Sequence, residues 1–292
     1  MFRESIMRSV TLAGSALLLG AAVLSPGTAR AQQDSDAAAA LDAAIAGEHR
    51  SDENRARDRY RHPKETLLFF GFRPDMTVVE MLPGGGGWYT EILAPALKEH
   101  GKLYAAHYGM NDGAYHRRSL GSFLTKIGAA PEVYGDVTVT TLAFPHELEV
   151  APRGTADLVL TFRNVHNWYS SDAPYDTVTL GFKAMYDALK PGGVLGVTDH
   201  RWPDPATAEA HVDSGYVSPE RTIEIAESVG FRYVGSSEVN RNPKDTHDHP
   251  SGVWTLPPTL TLGDEDRQKY LEIGESDRFT IKFVKPEAEN AG

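Results

Sequence analysis

The residues best suited to proton chemistry in this sequence are histidines beside predicted strand ends or in a long loop, namely His107, His166, His200, His247 and His249. An imidazole gains and loses a proton near neutral pH, so it can act as a general base toward a hydroxyl or an amine. His166 and His200 are the candidate bases, because both close strands expected at one edge of a sheet. Either Asp199 or Asp248 could orient such an imidazole. We therefore predict a catalytic group of His166, His200 and Asp199.

The same residue types offer a metal site as an alternative. Segment 245–249 places two imidazoles and two carboxylates close in sequence, and such ligands suit zinc or a harder divalent ion. The spacing of His247 and His249 is common, however, and lacks the fixed pattern of a recognised site. We therefore predict no metal ligand and keep a metal-dependent hydrolase as an alternative function.

A run of four glycines, residues 84–87, separates an apolar strand pattern from a helix pattern in TVVEMLPGGGGWYTEILAP (residues 77–95). Ligands of open α/β sheets bind beyond the carboxyl ends of the strands. Glycines there let the backbone approach a ligand closely, and the helix that follows offers free N–H groups. The dinucleotide pattern G-x-G-x-x-G fails, because its sixth position falls on Tyr89 or Thr90. The turn therefore predicts a small-molecule site of another kind.

Strand and helix patterns alternate from residue 76 onward. Such alternation predicts a parallel sheet covered by helices on both faces. The predicted strands are residues 77–82, 102–107, 137–142, 157–163, 194–199, 231–239 and 279–284. Residues 241–276 interrupt the rhythm, since they are rich in Pro, Asp and His and too long for a plain connection. A segment of this length and composition is typical of an ordered lid or a long functional loop.

Two further segments carry a resemblance to a known family. LKPGGVLGVTDHR (189–201) has Pro-Gly-Gly between a helix and an apolar strand that ends in Asp-His, and ADLVLTFRNVHNWY (156–169) runs from an apolar strand into polar residues. The family's acid-x-G-x-G-x-G turn is matched by Glu80, Gly84 and Gly86, with Leu82 in place of the first glycine. Together these segments resemble class I S-adenosylmethionine-dependent methyltransferases, most nearly a group of exported proteins, over about residues 60–286. The resemblance implies a Rossmann-like fold with a seven-stranded, mostly parallel sheet and helices on both faces.

The resemblance also implies a cofactor and the residues around it. S-adenosylmethionine would lie against the glycine turn and supply a methyl group to a small-molecule acceptor. The positions that match the family's cofactor site are Glu80, Pro83, Gly84, Gly85, Gly86, His107, Arg163 and Asn164. His107 stands where the family has an acid that binds the ribose hydroxyls, and an imidazole can hydrogen-bond a hydroxyl. His166 or His200 would take the acceptor's proton.

Composition limits the classes of partner. The formal net charge of −11 excludes a nucleic-acid-binding protein, because such binding depends on neutralising phosphates. The absence of cysteine excludes disulfides and thiolate chemistry. The first 31 residues have a basic start, a short apolar run and a small-x-small end at Ala31, which is typical of a cleavable signal peptide. We therefore expect a periplasmic or secreted protein with no membrane-spanning segment after cleavage.

These patterns predict three parts of the chain. Residues 1–31 form the signal peptide, residues 32–60 an Ala-rich and charged helical segment, and residues 61–287 one methyltransferase-like domain. The favoured function is methyl transfer from S-adenosylmethionine to a small molecule. The alternative is an exported protein of the same fold that binds another small ligand and transfers no methyl group, because the cofactor is made in the cytoplasm and fold alone does not fix function.

Overall fold

The computed structural model describes residues 26–169, 176–207 and 213–287. Seven strands form one sheet: β1 Thr77–Met81, β2 Lys102–Tyr108, β3 Thr138–Leu142, β4 Ala156–Phe162, β5 Leu189–His200, β6 Arg232–Ser237 and β7 Arg278–Val284. The α-helices of the described residues are α1 Pro26–Ile45, α2 Asp52–Arg55, α3 Asp58–Arg61, α4 Pro63–Phe70, α5 Thr90–Leu97, α6 Ala114–Ala129, α7 Pro131–Tyr134, α8 Thr177–Ala188, α9 Pro219–Val229 and α10 Arg267–Ile273. All seven predicted strands are present.

The strand order is β3-β2-β1-β4-β5-β7-β6. Strands β1 to β5 pair in parallel, whereas β7 runs antiparallel to both β5 and β6. This is the class I methyltransferase fold, so the predicted fold class is confirmed. The order reverses between β1 and β4, and in open α/β sheets the crevice beyond such a reversal is where ligands bind.

Helices cover both faces of the sheet, as predicted. On one face the apolar sides of α8 and α9 pack against the sheet through fully buried residues such as Phe182 and Ala226. On the other face α1, α4 and α5 contribute Leu41, Leu67 and Ile92 to a second core. The central strands are therefore buried on both sides, and their sequences are almost continuously apolar for that reason.

Strand β5 begins five residues earlier than the sequence predicts. Its first residues, Leu189 to Gly193, contain Pro-Gly-Gly, which is typical of a turn. The backbone N–H of Gly192 nevertheless donates to the carbonyl of Lys285, and the N–H of Lys285 donates to the carbonyl of Gly193, both at 2.9 Å. Pairing with Lys285, the residue directly after β7, thus extends the strand beyond its apolar part.

The N-terminal helical segment packs closely on the domain. Leu41 of α1 is fully buried, and the Arg50 side chain pairs with Asp58 at 2.7 Å and approaches Glu91 of α5 at 3.5 Å. Helix α1 runs continuously through the cleavage position predicted near Ala31. Residues 1–25 of the predicted signal peptide lie outside the described residues, so the leader stays a prediction. Within the described residues, no helix is both long and apolar enough to span a membrane.

The long segment 241–276 is ordered by its own hydrogen bonds. It contains a 3-10 turn, Gly252–Thr255, and helix α10. The side-chain amide of Asn242 donates to the carbonyls of Ile273 at 2.9 Å and Glu275 at 2.7 Å, which ties the two ends of the segment together. The segment is therefore an ordered loop that lies over the carboxyl ends of the strands.

Candidate functional site

Two adjoining cavities open at the carboxyl ends of the strands. The central cavity, of about 200 Å³, lies beyond β1, β4 and β5 and is lined by Glu80, Gly84, Asn164 and His166 among others. The side cavity, of about 900 Å³, lies beyond β2 and β3. Leu82, Tyr108 and Trp254 line both, so the two form one continuous cleft. Its location is the one expected for a ligand site in this fold.

The four glycines of the turn have different structural roles. Gly84 lines the central cavity with a left-handed φ of 70°, and a Cβ added there would meet no atom within 4 Å. A Cβ on Gly85 would lie 3.1 Å from Ser122 of α6, and one on Gly87 would lie 2.9 Å from Phe123. Gly86 is exposed at the surface. Of the predicted cofactor glycines, the structure thus places only Gly84 in the central cavity, while Gly85 lets α6 pack closely.

Glu80, at the penultimate position of β1, lies in the wall of the central cavity and is buried. The Thr90 hydroxyl donates to its Oε2 at 2.6 Å. Burial raises the pKa of Glu80 to about 7, an effect that the hydrogen bond from Thr90 only partly offsets. The carboxyl group of Glu80 therefore changes charge near neutral pH.

We expect Glu80→Gln to raise the free energy of unfolding by about 3 kcal/mol near pH 8 and to change it little near pH 4. Below pH 4.5 the carboxyl is protonated in both the folded and the unfolded chain. Between pH 4.5 and about 7 the unfolded chain loses this proton while the folded chain keeps it, so the folded state loses stability as pH rises. Urea unfolding of both proteins across this range measures the difference.

A matched control for that prediction is Glu91→Gln. Glu91 is equally buried but is paired with Lys126 and lies 3.5 Å from Arg50, so its neutralisation should lower stability. A Glu80→Gln variant that is less stable than the parent at pH 8 would contradict the account of Glu80.

The structure places His107 outside both cavities. Its ring is fully buried, with Phe123 at a centroid distance of 5.2 Å, and its Nδ1 accepts the backbone N–H of Tyr108 at 2.8 Å. Burial lowers the pKa of His107 to about 4, so the ring is neutral. The following residue, Tyr108, lines both cavities instead. Successive side chains of a strand point to opposite faces, so a shift of one residue exchanges the two roles.

Asn164 and Arg163 both line the central cavity, as the resemblance implies. The Asn164 amide donates to the carbonyl of Met81 at 2.8 Å, which fixes the end of β4 against the end of β1. Arg163 has a left-handed φ of 60°, and its backbone N–H donates to the carbonyl of Thr198 at 2.7 Å. This bend turns the chain from β4 into the 3-10 turn Val165–Trp168, which carries His166.

His166 and Asp199 form a buried pair. The Nδ1 of His166 lies 2.8 Å from Oδ1 of Asp199, which also accepts the backbone N–H of His200 at 2.8 Å. A carboxylate only accepts hydrogen bonds, so Nδ1 carries a proton, and in the neutral form of the ring the lone pair therefore lies on Nε2. His166 lines the central cavity, whereas Asp199 lies fully buried behind it. This is the orientation of a general base supported by a carboxylate.

His200 lies beside His166, with 4.9 Å between ring centroids, and its Nδ1 is hydrogen-bonded to Ser276. Burial lowers the pKa of His200 well below its ordinary value, and repulsion from His166, Arg278 and Arg163 lowers it further. An imidazole that resists protonation this strongly is a poor proton acceptor. Of the two histidines that the sequence left as alternatives, the structure therefore favours His166 as the base.

The predicted catalytic residues also form the one group in the described part of the chain with the spacing of metal ligands. One ligand atom from each of His166, Asp199 and His200 lies within 4.8 Å of the others. Segment 245–249 has no such group among the described residues. There Asp245 is hydrogen-bonded to His249 at 2.9 Å and to the Tyr216 hydroxyl at 2.9 Å. Segment 245–249 is where the sequence suggested a metal site as an alternative to acid–base chemistry.

Comparison with known proteins supports the fold alone. No protein-family model matches the chain, and no curated protein matches it in sequence. A SAM-dependent methyltransferase from Aquifex aeolicus is similar in structure, with a TM-score of 0.50 and 17% identity over 79% of this chain and 93% of that one. The [4+2]-cyclase SpnF is similar with a TM-score of 0.55 and 12% identity, over 83% of this chain and 86% of that one. At these identities the fold is shared, and the reaction is a separate question.

Proposed function

We propose that the chain binds S-adenosylmethionine in the cleft and catalyses transfer of its methyl group to a small-molecule acceptor. The observation that carries this proposal is the position of the His166–Asp199 pair, which shares the central cavity with Glu80 and Gly84. A candidate general base and a glycine turn that allows close approach thus line one cavity. That is the arrangement required when a proton must leave an acceptor held beside a bound cofactor.

The residues of the cleft fit the proposed cofactor. Gly84 leaves open space where any other residue would place a Cβ, so its backbone can contact a ligand directly. Glu80 and Pro83 line the same wall, and Glu80 would attract positive charge when it is ionised. The side cavity offers aromatic surface from Tyr108 and Phe144 for a purine ring. S-adenosylmethionine, when bound, supplies a methyl group on a positively charged sulfur.

His166 would remove the acceptor's proton as the acceptor forms its new bond to carbon. The proton moves from the acceptor's hydroxyl or amine to Nε2 of His166, and the positive charge that this creates is stabilised by Asp199. Val253, Trp254 and Pro257, from the segment 241–276, line the same cavity and cover part of it.

The test is to incubate the chain with methyl-labelled S-adenosylmethionine and a panel of small phenols, amines, carboxylates and phosphates. We expect S-adenosylhomocysteine and one labelled acceptor to form in equal amounts. Binding of S-adenosylmethionine with no labelled product from any of these classes would contradict methyl transfer.

A second candidate function is a different reaction, or binding alone, in the same cleft. The structural likeness to a [4+2]-cyclase favours this candidate, because that protein has the same fold and is named for a different reaction. The labelling experiment separates the two, since only the methyltransferase yields a labelled acceptor.

A further inference from the structure

Three arginines from distant parts of the chain meet in the wall of the central cavity. They are Arg61 at the end of α3, Arg163 directly after β4 and Arg278 at the start of β7, and we call them the arginine cluster. Arg61 and Arg278 are each only 2% exposed. Burying a guanidinium is unfavourable unless an anion compensates it, so the partners of the cluster decide its role.

Glu275 is the only carboxylate in the described part of the chain that pairs with the cluster. It is shared between two arginines of the cluster and Arg57, which lies outside it. Its Oε2 is 3.1 Å from Nε of Arg61 and also pairs with Arg278, while its Oε1 accepts from Arg57 at 2.6 Å. Burial alone would raise the pKa of Glu275, but attraction to Arg278, Arg61 and Arg57 holds it well below its usual range. One buried carboxylate thus balances several guanidinium groups.

Several donors of the cluster are left without a partner. Both terminal nitrogens of Arg61, Nη1 and Nη2, are buried and unpaired, and so is Nε of Arg278. The side chain of Arg163 makes no hydrogen bond or ion pair with another described residue. The Arg61 guanidinium lies 4.6 Å above the ring of Trp88, which holds its plane in place. Rigid, unpaired donors around a cavity are the features of a preformed anion site.

We propose that the arginine cluster binds an oxyanion of the methyl acceptor, so that the acceptor is a small carboxylate or phosphate; this inference rests on the function proposed above. A guanidinium presents two parallel N–H donors that match the oxygens of either group. His166 and Arg163 line the same cavity. An acceptor anchored by its oxyanion would therefore hold its nucleophilic atom near His166.

The charges around the cavity also argue against a metal ion at His166, Asp199 and His200. Burial lowers the pKa of Arg61 well below its ordinary value, and repulsion from Arg163 lowers it further. Burial and repulsion from Arg278 lower the pKa of Arg163 to about 10. Groups that already repel one another would also repel a divalent cation, whereas an anion would relieve the repulsion.

The test is a calorimetric titration of the full chain with inorganic phosphate and, separately, with benzoate as a carboxylate probe. We expect Arg163→Gln to weaken binding of the better probe by about tenfold or more, since it removes a charge-assisted contact. Arg163→Lys should restore only part of the loss, because lysine keeps the charge and lacks the fork. The Arg163 side chain has no hydrogen-bonded or ion-pair partner among the described residues, so both variants should fold, and thermal melts check this.

The matched control is Arg57→Gln, which removes a charge that pairs with the same Glu275 but does not lie in the cavity wall. We expect it to change probe binding by less than about threefold. No binding of either probe to the parent, or equal binding by the parent and Arg163→Gln, would overturn the proposal.

The oxyanion that binds the arginine cluster could also be the carboxylate of the cofactor itself. Repeating the probe titrations in the presence of S-adenosylhomocysteine or 5′-methylthioadenosine distinguishes the cofactor's carboxylate from that of an acceptor. If saturating S-adenosylhomocysteine displaces the probe while 5′-methylthioadenosine, which lacks the amino acid, does not, the cluster holds the cofactor and the proposal fails. Probe binding that persists in both complexes supports an anionic acceptor. Probe binding by a chain that does not bind S-adenosylhomocysteine would contradict the methyltransferase function and leave the oxyanion site standing.

Discussion

Replacing His166 by glutamine is expected to lower kcat for methyl transfer by a factor of about 10² to 10⁴. The affinity for S-adenosylhomocysteine should change by less than about threefold. Glutamine can still donate a hydrogen bond to Asp199, so the buried carboxylate keeps a partner and the fold is preserved. It cannot accept a proton near neutral pH, so the step that His166 is proposed to perform is lost. Initial rates of S-adenosylhomocysteine formation at saturating acceptor measure the effect.

The comparison that makes this result specific is His200→Gln. Its ring is only 4.9 Å from that of His166, but its depressed pKa makes it a poor base. We expect His200→Gln to retain at least about one tenth of the parent's kcat. If His200→Gln loses as much activity as His166→Gln, or more, the assignment of the base to His166 is wrong.

Gly84→Ala is expected to weaken binding of S-adenosylhomocysteine by about tenfold to a hundredfold. The new methyl group would stand in open space of the cavity wall, where the proposed cofactor lies against the backbone. Making room for one methyl group in a close-fitting site commonly costs about 1–3 kcal/mol, which corresponds to that range of affinity. Calorimetric titration of both proteins gives the two dissociation constants.

Backbone strain must be separated from this steric effect, because Gly84 has a left-handed φ. Gly154 is the matched control, since its φ is 68°, a Cβ added there would meet no atom within 4 Å, and it lies in an exposed turn outside both cavities. Both Gly84→Ala and Gly154→Ala should lower the free energy of unfolding by about 1 kcal/mol through backbone strain. Gly154→Ala should leave the affinity for S-adenosylhomocysteine unchanged. Equal affinities for Gly84→Ala and the parent would place the ligand elsewhere.

Features that depend on short stretches of sequence could be predicted here. The β1 turn and the end of β4 are each encoded within about ten residues, so sequence patterns alone assign Glu80, Gly84 and His166 to one sheet edge. All seven strands followed from apolar patterns bounded by turn residues. Such local signals determine where the strands end, and the fold then brings the ends together.

The face that a residue presents could not be predicted in the same way. Strand β2 is buried on both sides, and from Leu103 to His107 each residue is buried, so the apolar pattern does not distinguish the side that meets the cleft. His107 and Tyr108 were therefore not separable by sequence. The four glycines posed a similar problem, because the close packing of α6 on Gly85 and Gly87 depends on a helix more than 25 residues away.

The meeting of the three arginines in one cluster could not be predicted from sequence patterns. Arg61, Arg163 and Arg278 are each more than 100 residues apart along the chain, and only Arg163 lies in a segment that a sequence pattern singles out. They meet only because β7 inserts antiparallel between β5 and β6 and the N-terminal helices fold over the same edge. Long-range contacts of this kind follow from topology, and a single sequence carries no local signal for them.

The most direct test of the central claim is a calorimetric titration of the chain with S-adenosylmethionine and S-adenosylhomocysteine. The account predicts one site per chain with a Kd in the micromolar range for both ligands, lost or strongly weakened in Gly84→Ala and retained in Gly154→Ala. Absence of binding at millimolar ligand by a chain that melts cooperatively would contradict the claim, and it would mean that this cleft holds a different molecule.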